Sequence, residues 1–170
     1  MRTNLFDPEK ALNAILWIAK RIPSPTFHSI SKLFYFADRI HLERYGRLIS
    51  GDSYVAMKHG PVPSGTYDIM KAVRGDGTCA VEEEAQEAFT VDGRYDVIPR
   101  RGADETLFSE SDLECLQEAL KRYGNLSFQE LTRLSHDEAW DSVDENDIIE
   151  LEQIIATLPD GASLLAHLHR

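Results

Sequence analysis

Among the 170 residues, six histidines and two cysteines are the side chains that most readily suggest metal binding or catalysis. Asp38 and His41 stand three apart in a stretch that reads as helix, so they are surface neighbours. With His59 and His136 they could supply a mixed oxygen and nitrogen ligand set for a metal-dependent hydrolase. No two histidines form a His-x-x-x-His pattern, and buried histidines and carboxylates ordinarily satisfy one another or the backbone. The expectation is therefore a protein without catalytic, cofactor-binding or metal-binding residues. His28 reads as a surface residue, and His167 and His169 as solvated near the C-terminal end. Cys79 and Cys115 are 36 positions apart with no histidine beside them, which points to reduced structural thiols. There is no Gly-x-Ser-x-Gly, and the glycines at 46, 51, 60, 65, 75 and 77 never take the spacing of a phosphate cradle.

The charge pattern narrows the choice of partner. The formal charge is −11, yet residues 1–74 carry 11 Lys/Arg against 6 Asp/Glu, whereas residues 75–170 carry 7 against 23. Such an acidic chain repels nucleic acid at long range, because affinity for phosphate rests on Lys and Arg displacing counterions. The alternative, a winged-helix-like nucleic-acid-binding regulator, would need a local patch from Arg39, Arg44 and Arg47 with Lys58, Lys71 and Arg74. No apolar run approaches the roughly 18 residues of a membrane span, and the first residues lack a signal-peptide layout. These features predict a cytoplasmic protein that does not engage membranes.

The elements that must position these side chains are mostly helical. Asp7-Pro8-Glu9 opens a helix to about Lys20, and Pro23 and Pro25 break it. A second, aromatic-rich helix runs from Thr26 or Phe27 to Tyr45, with Gly46 placed to end it. Residues 53–57 suit a short extended segment that continues through Lys58-His59-Gly60-Pro61-Val62-Pro63, where each proline holds its predecessor out of the helical region. Ser64 caps a helix to about Arg74, and Gly75 to Gln86 reads as a polar loop or solvated helix end. Asp92-Gly93, between alternating apolar residues 89–98, predicts a β-hairpin. Helices then start at Ser109 or Ser111 and at the capping box Ser127-Phe-Gln-Glu130, and a further one spans Asp147 to Leu158. The fold class is α+β, predominantly α-helical, with one small antiparallel hairpin and a short extended segment, in a single domain over residues 1–170.

Two stretches, Ile30 to Ser64 and Leu131 to Trp140, resemble the Panacea antitoxin domain, the SocA-like family that includes phage-associated GepA-type proteins. The resemblance is carried by Lys32, Leu33 and Tyr35 on the aromatic helix, Tyr45-Gly46, the run Lys58-His59-Gly60-Pro61-Val62, and Leu134-Ser135-His136 with Trp140. Ala139 stands where a proline often precedes the tryptophan. The resemblance implies a type II antitoxin that binds and neutralises a cognate toxin protein, by occlusion or as an adaptor delivering it to a AAA+ protease. It fills this chain, so a separate DNA-binding domain is not expected. The extended segment, with Tyr54, Lys58, His59, Pro61, Val62 and Tyr67, would either offer a rigid exposed edge to the partner or serve as a tight crossover that orients two helices. Asp38, His41, Gly60, His136 and Trp140 are expected to be structural.

Overall fold

In a computed structural model describing residues 5–168, Asp7 accepts the Lys10 N–H at 3.1 Å and opens α1, Pro8–Ala19. Every residue from Ala11 to Ala19 is buried, so α1 is enclosed on all sides and not merely along one stripe. α2, Phe27–Tyr45, begins on a reciprocal capping pair between Thr26 and Ser29 and ends at Gly46, whose φ of 76° only glycine adopts readily. The remaining elements pack mainly around these two helices.

The expected extended segment is in fact a hairpin. β1, Tyr54–Met57, turns through Lys58 and His59 and pairs antiparallel with β2, Gly60–Pro63. Two prolines inside a strand hid this pairing from the sequence. They are accommodated because β2 is an edge strand in the order β2-β1-β5. Pro61 faces Ala56, whose own N–H and C=O bond to residues 146–147 on the other side, so the N–H that Pro61 lacks has no partner in β1. The edge is also not exposed as expected, since all four residues of β2 are buried.

α3, Ser64–Arg74, follows directly; residues 75–81 form a polar loop, and the rest of that stretch is helical, α4, Glu82–Ala88, which buries Ala85 and Ala88. β3, Phe89–Asp92, pairs with β4, Asp96–Pro99. The Asp92↔Asp96 register makes the connection Gly93-Arg94-Tyr95, one residue longer than an Asp-Gly turn. The free side of β4 is covered by the approach to α2: Val97 N–H donates to Pro25 O and Phe27 N–H to Tyr95 O. α5, Glu110–Tyr123, and α6, Phe128–Ser135, start at the capping boxes of Ser109 and Ser127. A four-residue α7, Glu138–Asp141, leads to β5, Ile148–Ile149, which takes the start of the expected Asp147–Leu158 helix because β1 needs a partner there. α8, Leu151–Ala156, and α9, Gly161–Leu168, complete the chain, while His169 lies outside the described residues.

The class is thus α+β and predominantly helical, with two small antiparallel sheets among the described residues. Cys115 is buried and Cys79 half-buried, both as free thiols. Gly60 has φ +119°, and a Cβ there would meet Ser135 Oγ and lie 2.8 Å from Lys32 Cε. Gly75, at φ +103°, has open space around the same atom. Gly60→Ala should therefore cost about 2 kcal/mol or more, and Gly75→Ala about 1 kcal/mol from backbone strain alone, as read by urea denaturation. Equal losses would show that close approach contributes nothing at Gly60.

Candidate functional site

The helical repeat puts His28, Lys32, Tyr35 and Arg39 at three- and four-residue spacing along one side of α2. Lys32 is buried, and its Nζ donates to the Pro61 carbonyl of β2 at 2.8 Å. One turn on, Tyr35 donates to Asp137 Oδ2 at 2.6 Å, and Arg39 pairs with the same oxygen at 3.3 Å while donating to Thr157 at 2.6 Å. Asp137 in turn caps α7 by accepting the Trp140 N–H, and the Trp140 indole donates to the Met57 carbonyl at 2.7 Å. His136 stacks on that indole with centroids 3.8 Å apart. The aromatic helix, the Gly60-Pro61-Val62 strand and the late His136-to-Trp140 segment are therefore one continuous set of contacts. Gly60, His136 and Trp140 all lie within this set of contacts.

The other expected structural residues lie further along α2. Asp38 is fully enclosed and accepts the Ile49 N–H at 2.7 Å and the Tyr54 hydroxyl at 2.6 Å. Burial pushes its carboxyl up to about 7, against the opposing pull of those two hydrogen bonds. His41 donates from Nδ1 to the Arg47 carbonyl at 2.8 Å, and Nε2 sits 2.9 Å from Ser111 Oγ. Burial lowers its pKa, so Nε2 of the neutral ring accepts the serine hydroxyl. Asp112 Oδ1 lies 3.4 Å from that nitrogen. Burial raises the Asp112 carboxyl, but hydrogen bonds from Lys10 and the Ser109 N–H and the charges of Lys10 and Arg47 outweigh it and leave it below the usual range.

The four residues of the hydrolase alternative are not brought together as a ligand set. Asp38 and His41 are satisfied within the core, His136 is stacked on Trp140, and His59 sits exposed on the β1–β2 turn. Among the described residues no group of three or more His, Cys, Asp or Glu is placed to hold a metal. Each arginine of the expected patch is matched to an acid: Arg39 pairs with Asp137, Arg44 with Glu114 at 3.1 Å, and Arg47 with Asp112 at 3.0 Å.

The partner-binding candidates separate by burial. Tyr54 is 1% exposed and Pro61 is also buried, which withdraws both from any surface: Tyr54 is spent on Asp38, and Pro61 lies beneath α2. Lys58, His59, Val62 and Tyr67 instead share the lining of a cleft of about 590 Å³, between the start of α2, the β1–β2 turn and the β3–β4 loop. Phe27, Ser31, Lys32, Tyr95 and Phe128 line it too, and sequence reasoning missed them. The 28, 31, 32 spacing on α2 was available as a signal; nothing in the sequence linked Tyr95 or Phe128 to that face. His28 corrects its surface reading: it is half-buried, stacked on Phe128 at 3.9 Å, with Nε2 2.9 Å from Thr132 Oγ1.

Residues 30–141, from α2 through α7, match the family model described as antitoxin SocA-like, Panacea domain. No curated protein and no solved structure matches the chain. No helix among the described residues is long and apolar enough to cross a membrane.

Burial lowers the Lys32 ammonium from 10.5 to about 7. Between those values the unfolded chain holds a proton that the native state releases, so stability rises with pH there and is lost as pH falls towards 7. Cys115, pushed by burial to about 12, opposes this only above an ordinary thiol value of 9.0. Unfolding free energy should thus climb by about 2 kcal/mol from pH 7 to pH 9, and Lys32→Met should flatten that slope in urea titrations. An unchanged slope in the variant would assign the effect elsewhere.

Proposed function

The chain belongs to the SocA-like antitoxin family with the Panacea domain, and from that membership we propose that it is the antitoxin of a type II toxin–antitoxin system, neutralising a cognate toxin by direct protein binding. The antitoxin-like role is general to the family, and it calls for a protein partner and no catalytic step. The observation that carries the proposal is the family match from α2 to α7, which spans both strands of the first hairpin and their contacts with Lys32 and Trp140.

The partner-facing surface in this reading is the exposed turn Lys58-His59 with half-buried Tyr67, while the buried Val62 only lines the cleft beneath them. An acidic belt lies beside it. Glu138, Asp141, Asp144, Glu145, Asp147 and Glu150 are all exposed, and residues 146–147 bond directly to β1. Toxins that act on RNA or nucleotides present basic surfaces, and a belt of this sign would steer them to the hairpin. The chain acts here as one folded unit.

Co-expression with the product of the adjacent gene should restore growth that the neighbour alone arrests, and the two proteins should co-purify. Persistent arrest with no complex overturns the proposal. Within the complex, His59→Glu with Tyr67→Ala should weaken binding, while reversing Asp144, Glu145 and Asp147 to Lys should slow association about tenfold at low salt, read by stopped-flow. Unchanged association would leave the belt with only a solubilising role.

A further inference from the structure

Below about pH 7, where Lys32 is mainly an ammonium, the cleft holds a charge without a counter-charge. Lys32 is 1% exposed, and among the described residues it pairs with no acid; its ammonium donates to the Pro61 carbonyl at 2.8 Å. An ammonium has three N–H groups, so two remain, and a buried cation that lacks an anion is costly. Beside it Ser31, also 1% exposed, has a hydroxyl with no hydrogen-bond partner. Both residues line the same cavity, whose volume of about 590 Å³ lies within the range of small-molecule sites.

The walls specify the body of the ligand. Phe27 meets Tyr67 and Tyr95 edge-on at 5.5 and 5.6 Å, while Phe128 stacks on His28 at 3.9 Å and meets His59 at 5.2 Å. Burial, with the nearby charges of Lys32 and His59, holds His28 at about 3, so it contributes a ring face and no charge at neutral pH. The one carboxylate in the lining, Asp96, is exposed. Aromatic walls around a cation and a free hydroxyl select a flat ring bearing a single carboxylate.

We propose that this cleft binds a small aromatic carboxylate, with the carboxylate on Lys32 and Ser31 and the ring between Phe27, Tyr67 and Phe128. The inference goes beyond toxin binding and does not depend on it, since the isolated chain suffices for the test.

The chain, carbon-13-labelled at its Met and Val methyls, is titrated with phenylacetate and benzoate and, in parallel, with phenylacetamide and benzamide. The acids should give saturable shifts at Met57 and Val62, which line the cleft, and not at Met70, which is buried outside it. The amides, equal in shape but uncharged, should bind about tenfold or more weakly. Lys32→Met should abolish the preference for acids, and Ser31→Ala, which breaks no existing hydrogen bond, should weaken acid binding severalfold. Should Lys32→Met not fold, the acid-to-amide contrast in the parent and the Ser31→Ala titration decide the matter. Absence of saturable shifts, equal response to acid and amide, or shifts away from the cleft overturns the proposal.

Discussion

A single hydrogen bond, from the buried Lys32 ammonium to the Pro61 carbonyl, sets the geometry of the central region. Burying a lysine is expensive in a low-dielectric interior, and a backbone carbonyl is a partial remedy because it offers a dipole and not an opposite charge. For the ammonium to reach that oxygen, β2 must approach α2 closely. Position 60 therefore has no room for a Cβ, and its positive φ restricts it to glycine independently. The prolines at 61 and 63 are compatible because the strand lies at the sheet edge, and they keep it extended while α2 presses on it. The Trp140 bond to Met57 holds the companion strand, so the hairpin is gripped by α2 on one strand and by α7 on the other.

The division of charge along the chain acquires a different meaning in three dimensions. Basic side chains of the first part are matched to acids of the second: Lys10 and Arg47 with Asp112, Arg39 with Asp137, and Arg44 with Glu114. These pairs differ in weight. Asp112 is fully buried and takes two cations with a neutral histidine beside it, so removing both cations would leave its charge stranded in the core. The Arg44–Glu114 pair is exposed and screened, and contributes little. Of the acids left over, six exposed ones, Glu138, Asp141, Asp144, Glu145, Asp147 and Glu150, gather next to β1.

The helices were legible because their signals are local. Asp7-Pro8, Thr26 with Ser29, Ser109 with Asp112 and Ser127 with Glu130 each satisfy free amide groups within one turn, and Gly46 ends α2 by a conformation open to few other residues. The β1–β2 pairing was not legible, since prolines argue against strands unless the sheet edge is known. β5 was equally hidden: two residues, Ile148 and Ile149, become a strand only because β1 offers an unpaired side. The site divides along the same line. The spacing of His41 on α2 was readable from the sequence, whereas Tyr54 looked available until its hydroxyl was found on Asp38 inside the core.

By itself the sequence determined the predominantly helical class, the start and end of the main helices, the absence of metal-ligand spacing and the family resemblance, all properties of residue type and near-neighbour spacing. Tertiary structure alone decided which charges are cancelled and which side chains are buried. It also brought Lys32 and Ser31 from α2 together with Tyr95 and Phe128 around one cleft. The physical reason is that burial and electrostatic pairing depend on distances between residues as much as a hundred positions apart, as with Tyr35 and Asp137, and no local pattern encodes such distances.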